Sequence, residues 1–298
     1  MSSSESLPDR PVSKVALRNR ATAWRLRTRS LALGSRPLLM GIVNVTPDSF
    51  SDGGQFLDPQ KAVDHGLRLV AEGADILDIG GESTRPYSQP VSHELQLRRV
   101  LPAITALVRQ TTVPISIDSS SAAVAQACLD AGAEIINDVT GLSGDHAMVE
   151  VARHTGAAVC VMHMQGTPQT MQDNPAYADV VEEVFAYLQS RLGALVGAGL
   201  DPQRIALDPG VGFGKTHQHN LTLLAGCWRM HELGRPLLVG HSRKGYIGKV
   251  IGDQEADRTA GTVGVALSLA RQGVQILRVH DVRPVREALL LFEATGGL

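Results

Sequence analysis

Residues 41–54 read GIVNVTPDSFSDGG, an apolar run that ends in a polar loop closed by two glycines. Residues 38–43 are aliphatic and β-branched, as expected of a buried strand. The loop that follows carries Asn44, Thr46 and Asp48, whose polar groups are too closely spaced to be buried without partners. Taken alone, the stretch fits a surface turn as well as a binding loop, because Pro, Asp, Ser and Gly are common turn residues.

The same succession of a short apolar run and a longer amphipathic segment recurs through the rest of the chain. The runs predicted as strands are 38–43, 75–79, 113–117, 134–136, 157–162, 204–207, 236–239 and 275–279. Segments with apolar residues near helical spacing lie between them, at 59–72, 94–109, 122–131, 147–155, 177–198, 220–233 and 257–272. Eight such units without a domain-breaking linker predict a single (β/α)8 TIM barrel; the alternative is a doubly wound α/β sheet.

The N-terminal segment differs from the rest of the chain. Residues 1–20 are rich in Ser and polar groups and lack an apolar signal region, which predicts a disordered leader before a barrel domain at 21–298. Arg-rich, acid-poor leaders are also typical of organelle transit peptides, so a removable address stays an alternative. The alternating residues 24–29 predict a half-exposed strand in an N-terminal β-hairpin, which leads through residues 31–33 and a turn at Gly34 and Ser35 into the first core strand.

The composition excludes several classes of function. The 298 residues include 28 Lys and Arg against 30 Asp and Glu, so the net charge of -2 gives no field that favours nucleic acid or an anionic membrane. No apolar run approaches the roughly 20 residues that span a bilayer, which predicts a soluble protein. The three cysteines form no Cys-x-x-Cys pair, which favours reduced thiols and a cytoplasmic location.

Polar residues follow every predicted strand. In a (β/α)8 barrel the carboxyl ends of the strands share one mouth, where sites are found. Any one of these residues alone fits a helix cap, but a polar residue after each of eight strands favours a site. The residues are Asn44, Asp78, Glu82, Asp118, Asn137, Asp138, His163, Asp208, His241, Ser242, Arg243, Lys244, Arg278 and His280.

The chemistry of these residues suggests two halves of a ligand. The acceptors of Asp118, Asn137 and Asp208, with the ammonium of Lys244, suit the edge of a flat heterocycle that carries amide and amino groups. Arg278 and His280, with Asn44, suit an anion such as phosphate. Met162 and Phe213 could sandwich the ring, although core packing explains each of them as well.

Several long motifs are similar to those of one family. NVTPDSFSDGG (44–54), DIGGESTRP (78–86), IINDV (135–139), VMHMQGTPQTMQ (161–172), LDPGVGFGK (207–215), SRK (242–244) and RVHDV (278–282) resemble the dihydropteroate synthases of folate biosynthesis. The resemblance runs in order from about residue 38 to the C-terminus. It implies a (β/α)8 transferase that joins 6-hydroxymethyl-7,8-dihydropterin diphosphate to 4-aminobenzoate and releases diphosphate, with Mg²⁺ as cofactor. It also implies a homodimer and sulfonamides as competitive ligands.

The resemblance also implies roles for individual residues. The pterin-binding set would be Asp118, Asn137, Asp208 and Lys244, and the diphosphate and magnesium set would be Asn44, Thr84, Arg278 and His280, with Asn44 as the metal ligand. Phe50, Thr84, Arg85 and Pro86 would complete the aminobenzoate pocket. Lys244, Arg278, His280 and Asp118 are the expected catalytic residues.

Position 245 departs from the family pattern, and two other functions compete. Gly245 follows Lys244 where Ser is common, which removes a hydroxyl near the expected aminobenzoate carboxylate. A pterin-dependent methyltransferase is one alternative, but it has no diphosphate to bind and does not explain the STRP and RVH segments. The other alternative is a non-catalytic pterin-binding homologue, which the presence of Asn44, Lys244, Arg278 and His280 disfavours.

Overall fold

Two sheets make up the strand content of the computed structural model, which describes residues 17, 19–46, 59–83 and 91–298. The smaller sheet is an antiparallel hairpin of β1 (Ala23–Arg25) and β2 (Ser30–Ala32). The larger sheet has eight parallel strands. They are β3 (Leu38–Asn44), β4 (Ile76–Gly80), β5 (Ile115–Asp118), β6 (Ile135–Asp138), β7 (Ala158–Met162), β8 (Ile205–Asp208), β9 (Leu238–Gly240) and β10 (Ile276–Val279).

Helices follow the strands of the larger sheet. They are α1 (Pro59–Ala71), α2 (His93–Gln110), α3 (Ala122–Asp130), α4 (Met148–Thr155), α5 (Val180–Gly197), α6 (His217–Ala225), α7 (Gly245–Ile251), α8 (Thr259–Arg271) and α9 (Val282–Ala294). Short 3-10 helices at Pro202–Arg204 and Cys227–Leu233 precede β8 and β9. Several helices end at a glycine; Gly156 after α4 has φ +66, a left-handed conformation that costs glycine little.

The strand order closes the large sheet into a barrel. Strands β3 to β8 pair in sequence, β10 pairs with β3 on its other side, and β9 pairs with β10. Leu207 in β8 forms a parallel bridge with Leu237, just before β9, and the Leu207 amide donates to the Pro236 carbonyl at 2.8 Å. The predicted (β/α)8 barrel is therefore confirmed, and each predicted strand lies within two residues of the observed one.

The hairpin covers the amino-terminal end of the barrel. Trp24, Leu26 and Leu33 are buried against apolar residues that begin the barrel strands, and the Trp24 Nε1 donates to the Arg204 carbonyl at 3.0 Å. These first residues are Ile76, Ile135, Ala158, Leu238 and Ile276. The apolar side chains exclude water from this end of the barrel, and the predicted hairpin is confirmed.

The prediction of one continuous strand over residues 24–29 is wrong. The Leu26 amide donates to the Arg29 carbonyl at 2.7 Å, so the chain turns between β1 and β2. Buried Glu134 explains the turn, because its carboxylate accepts from the amide and hydroxyl of Thr28 at 3.0 and 2.8 Å and pairs with Arg29 at 2.8 Å. A local alternation pattern cannot reveal a contact with residue 134.

Several predictions fall partly outside the described residues. Residues 1–16 and 18 of the predicted leader lie outside, whereas Arg20 donates to the carbonyls of Gly273 at 2.7 Å and Leu33 at 3.1 Å.

Cys128, Cys160 and Cys227 are buried free thiols. Among the helices that the structure describes, none is long and apolar enough to cross a membrane.

Candidate functional site

The carboxyl end of the barrel gathers polar side chains from many strands. The parallel register places Asn44, Gly80, Asp118 and Asn137 beside one another along neighbouring strands β3 to β6. Met162 pairs with Asp208 in the same way across β7 and β8. The strands end at these positions, so their polar side chains meet at the mouth that the sequence predicted.

Arg278 lies at the centre of this group. Its Nε donates to Asp78 Oδ2 at 2.6 Å, and its Nη2 donates to Asp118 Oδ2 at 2.7 Å. The Asn137 Nδ2 donates to the same Asp78 oxygen at 3.0 Å. The planar guanidinium therefore joins two carboxylates from different strands, which a point charge such as Lys would do less precisely.

Burial and charge act in opposite directions on this cluster. Burial raises the pKa of Asp118 to about 7, although the nearby Arg278 guanidinium opposes the rise. Burial alone would lower the pKa of Arg278, but Asp78 and Asp118 raise it above its ordinary value. The arginine thus stays charged while Asp118 titrates near neutral pH.

Asp78 belongs to the site, although it is not among the substrate-binding residues predicted from the sequence. Its side chain has no exposed surface, and its Oδ1 accepts no hydrogen bond from any residue that the structure describes. A buried carboxylate oxygen without a donor is costly, and a bound ligand could supply one. The signal available in the sequence was the charged residue inside the otherwise apolar strand ILDIG.

Asp208, Lys244 and Phe213 lie on the β8 side of the mouth. Asp208 is buried, its Oδ1 accepts from the Gly210 amide at 2.7 Å, and burial raises the pKa of its carboxyl. The Lys244 Nζ donates to the Val211 carbonyl and lies 4.4 Å from the centre of the Phe213 ring. Burial lowers the pKa of Lys244 to about 8, with Asp208 opposing the shift.

His280 and Asn44 lie beside a cavity of about 660 Å³ on the β3 and β10 side. The Ser242 Oγ lies 3.1 Å from the His280 Nδ1 and accepts from the His280 amide at 3.2 Å. Arg243 also lines this cavity and forms a two-pronged pair with Asp281, at 2.8 and 2.5 Å. The cavity is also lined by His65, Arg68 and Arg283, and by the carboxylate of Glu72.

The structure groups Arg278 differently from the prediction. Arg278 was grouped with His280 and Asn44 on the phosphate side, but its guanidinium lies between Asp78 and Asp118, and Asp118 is one of the predicted pterin contacts. Arg278 thus lies on the pterin side of the mouth. Phe50, Thr84, Arg85 and Pro86, predicted for the aminobenzoate pocket, lie outside the described residues.

Three other strand-end residues hold the protein's own backbone. Asp138 accepts from the amides of Thr140 and Leu142, and Glu82 accepts from the Val91 amide at 3.0 Å. His241 has no exposed surface, and its Nε2 lies 3.1 Å from the Thr262 carbonyl. A strand-end position alone does not separate such residues from those that contact a ligand.

A metal at this site would need oxygen atoms from the ligand. Within the described part of the chain, no group of three or more His, Cys, Asp and Glu side chains could hold a metal ion. Asn44 offers a carboxamide oxygen at the end of β3, on the same cavity as His280 and Asp281. One amide oxygen with the oxygens of a phosphorylated ligand suits Mg²⁺, which prefers oxygen and keeps several waters.

Comparison with known proteins identifies close relatives. The model of a family described as pterin binding enzyme matches residues 40–280. A dihydropteroate synthase of Neisseria meningitidis serogroup C is 48% identical over 265 residues, which cover 88% of this chain and 93% of that protein.

Solved structures agree with this relationship. A dihydropteroate synthase of Yersinia pestis in complex with a sulfonamide drug is 43% identical, with a TM-score of 0.86 over 93% of this chain and 100% of that one. A dihydropteroate synthase of Xanthomonas albilineans with 4-aminobenzoic acid is 45% identical, with a TM-score of 0.86 over 93% of this chain and 99% of that one.

Proposed function

This chain belongs to the pterin-binding enzyme family, and we propose that it is a dihydropteroate synthase. It transfers the dihydropterin-methyl group of 6-hydroxymethyl-7,8-dihydropterin diphosphate to 4-aminobenzoate and releases diphosphate. The observation that carries this proposal is the buried cluster of Arg278, Asp78, Asp118 and Asn137, in which one carboxylate oxygen has no donor among the described residues.

The mouth offers a polar edge and an apolar face to a pterin. Asp118, Asn137 and Asp208 present acceptors and an amide at their strand ends, and Lys244 presents an ammonium that interacts with Asp208. The unpartnered Asp78 Oδ1 would accept an N–H group of the heterocycle. Phe213 and buried Met162 would lie against the ring faces, as aromatic and thioether groups do in ligand pockets.

The charges suit a dissociative transfer. The bond between the pterin methylene carbon and the diphosphate oxygen breaks, and its electron pair leaves with the diphosphate. The positive charge left on the pterin is stabilised by the carboxylates of Asp78, Asp118 and Asp208, which are already in place in a buried site. The amine nitrogen of 4-aminobenzoate then bonds to the methylene carbon, and its proton passes to water.

The diphosphate would bind on the β3 and β10 side. His280, held by Ser242, and the amide of Asn44 face the same cavity, and Arg278 lies on β10 two residues before His280. Asn44 would hold a magnesium ion together with the diphosphate oxygens. When bound, the ion would neutralise negative charge on the leaving group. Removal of Mg²⁺ with a chelator should therefore abolish diphosphate release.

Substrate binding is expected to be ordered. The predicted aminobenzoate contacts come from two segments of the sequence. Phe50 follows β3, and Thr84, Arg85 and Pro86 follow β4. The aminobenzoate site is then complete only when the pterin diphosphate is bound. Tight binding of 4-aminobenzoate without any diphosphate would contradict this order. Sulfonamides, as analogues of aminobenzoate, should compete with it.

The assembly and location are proposed on separate grounds. Among the described residues, large apolar side chains are exposed at Val250 (63%) and Ile251 (50%) on α7 and at Leu291 (69%) on α9, which supports a homodimer. A monomeric mass in light scattering over the assay range would contradict it. The three buried free thiols support a reducing compartment, the cytoplasm, which cell fractionation tests.

The test is diphosphate release by the purified protein with the pterin diphosphate and Mg²⁺, with and without 4-aminobenzoate. Release that depends on aminobenzoate, with dihydropteroate as the second product, is the expected result. If pterin binds but no diphosphate is released, the protein is a non-catalytic pterin-binding homologue. Methyl transfer without diphosphate would favour the methyltransferase alternative.

A further inference from the structure

We propose that Lys215 is a positioning residue that holds the loop 208–215 in place and thereby sets the affinity for the pterin. The loop connects β8 to α6 and carries Asp208, Val211 and Phe213 at the mouth. The proposal deepens the function above and rests on it, since the pterin is the ligand whose binding is measured. Lys215 itself is buried, and its ammonium contacts backbone carbonyls of the loop.

Lys215 has an unusual environment for a cation. Its side chain is 2% exposed, and its Nζ lies 2.9 Å from each of three acceptors: the Gly210 carbonyl, the Phe213 carbonyl and the His163 Nδ1. An ammonium has three donors, so all of them are used, and each acceptor is electrically neutral. Burial also lowers the pKa of Lys215 to about 7. Such a costly arrangement indicates a specific role.

His163 is a suitable acceptor because it is neutral. Burial, followed by the charge of Lys215, lowers the pKa of His163 to about 3. The neutral ring can accept at Nδ1 with its proton on Nε2. The ring is itself fixed by Tyr187, whose ring centre lies 4.8 Å away in an edge-to-face arrangement. Lys215 therefore links the loop after β8 to His163, the residue that follows β7.

The loop passes very close to the segment after β7. Gly210 and Gly214 have φ +70 and +59. A Cβ at Gly210 would lie 1.8 Å from the His163 carbonyl, and one at Gly214 would lie 2.5 Å from the Gln165 carbonyl. Only glycine therefore fits at these two positions. Val211 packs into the core, and hydrogen bonds hold the backbone on either side of it, among them two of the three from Lys215.

The loop in turn positions two predicted pterin contacts. The Val211 carbonyl accepts from the Lys244 Nζ, and the Phe213 ring lies 4.4 Å from the same nitrogen. The Phe213 carbonyl is one of the acceptors of Lys215. A shift of the loop would therefore move the ring and the ammonium together, although neither residue contacts His163.

The first test replaces Lys215 with Met, which has a similar length but cannot donate. The control is Lys249→Met, which removes an exposed lysine from α7. Diphosphate release is measured against the concentration of pterin diphosphate at saturating aminobenzoate, together with urea unfolding. We expect Lys215→Met to raise KM for the pterin diphosphate about tenfold or more, because small displacements in a site have large effects. KM for aminobenzoate and the control should stay within about twofold of wild type.

A second pair of variants tests the positioning role of Lys215 if Lys215→Met fails to fold. In His163→Asn the side-chain oxygen lies near the position of Nδ1 and can still accept from Lys215, whereas His163→Leu offers no acceptor. The Leu variant should raise KM for the pterin diphosphate, and the Asn variant should recover most of the loss. A purely structural role would lower the stability of both variants without this difference in KM.

Two results would overturn the proposal. One is a folded Lys215→Met variant whose KM for the pterin diphosphate stays within about twofold of wild type. The other is equal KM in the Asn and Leu variants of His163. Pterin binding measured directly by calorimetry separates this proposal from the proposed function. If the wild type binds the pterin diphosphate without releasing diphosphate, weaker binding by Lys215→Met would still support the positioning role.

Discussion

The two ends of the barrel are built from the same eight strands but have opposite chemistry. At the amino-terminal end, first strand residues such as Ile76, Ile135 and Ile276 are apolar and are covered by Trp24 and Leu26 of the hairpin. At the carboxyl end, the strands present carboxylates, amides and the guanidinium of Arg278, with one buried oxygen left without a donor among the described residues. One end is sealed, and the other is arranged for a ligand.

This difference separates the residues that stabilise the fold from those that bind substrate. Apolar burial at the closed end contributes stability, at roughly 25 cal/mol per Å² of buried surface. Buried charges at the mouth cost desolvation energy that their mutual attraction recovers only in part. Substitutions at the closed end should therefore lower stability with little effect on catalysis, whereas substitutions at the mouth should do the reverse.

The largest effect is expected from Arg278→Ala at the mouth. The variant removes the guanidinium that joins Asp78 and Asp118, so kcat/KM should fall by about 10³-fold or more. The matched control is Arg286→Ala, since Arg286 lies 3.5 Å from Asp75, which precedes β4 at the closed end. Steady-state kinetics on both proteins check the prediction; equal losses would remove the distinction between the two ends.

Trp24→Ala tests the closed end. Truncation of this fully buried indole should lower the free energy of unfolding by about 3–5 kcal/mol, through lost burial and a residual cavity. Values of kcat/KM, measured below the unfolding transition, should stay within about twofold of wild type. Urea unfolding and kinetics on the same preparation provide the comparison. A large loss of kcat/KM in the folded variant would show that the hairpin also shapes the site.

The pH dependence of kcat/KM should report on the mouth. The pKa of Asp118 is raised to about 7 by burial, and ionised Asp118 is needed to hold Arg278, so activity should fall as the pH drops below that value. The pKa of Lys244 is lowered to about 8 by burial, so activity should also fall at higher pH, when the ammonium is lost. Lys244→Arg should move the alkaline limb upward. A flat profile across both values would contradict the assignment.

Gly245→Ser should have the smallest effect. A Cβ at Gly245 would meet no heavy atom within 4 Å, so the side chain fits without displacement. The added hydroxyl lies where the family resemblance predicts a contact with the aminobenzoate carboxylate. KM for 4-aminobenzoate should fall about two- to tenfold, the effect of one hydrogen bond, while Gly245→Ala should leave it unchanged. Equal effects of the Ser and Ala substitutions would show that the hydroxyl makes no contact with aminobenzoate.

Much of the contrast between the two ends of the barrel could be predicted from the sequence. The strand and helix periodicity predicted the barrel, and the polar residues after each strand predicted the mouth, because both depend on local pattern. The turn at residues 26–29 and the bridging position of Arg278 depend on contacts with Glu134, Asp78 and Asp118, which are distant in sequence. Pattern also cannot distinguish Asp138, which holds its own loop, from Asp78, which retains an unpartnered oxygen.

Urea unfolding of Asp78→Asn, with and without the pterin diphosphate, tests most directly whether the mouth is built for a ligand. The Asn oxygen can still accept from Arg278 and Asn137, and its amide nitrogen takes the place of the unpartnered Oδ1. The variant should lose some stability without ligand, because Asn does not balance the charge of Arg278. Ligand at 100 times the wild-type Kd should stabilise the wild type by about 2.7 kcal/mol and the variant by much less. A variant that keeps the full ligand-induced gain would contradict the account, because Asp78 would then serve only the fold.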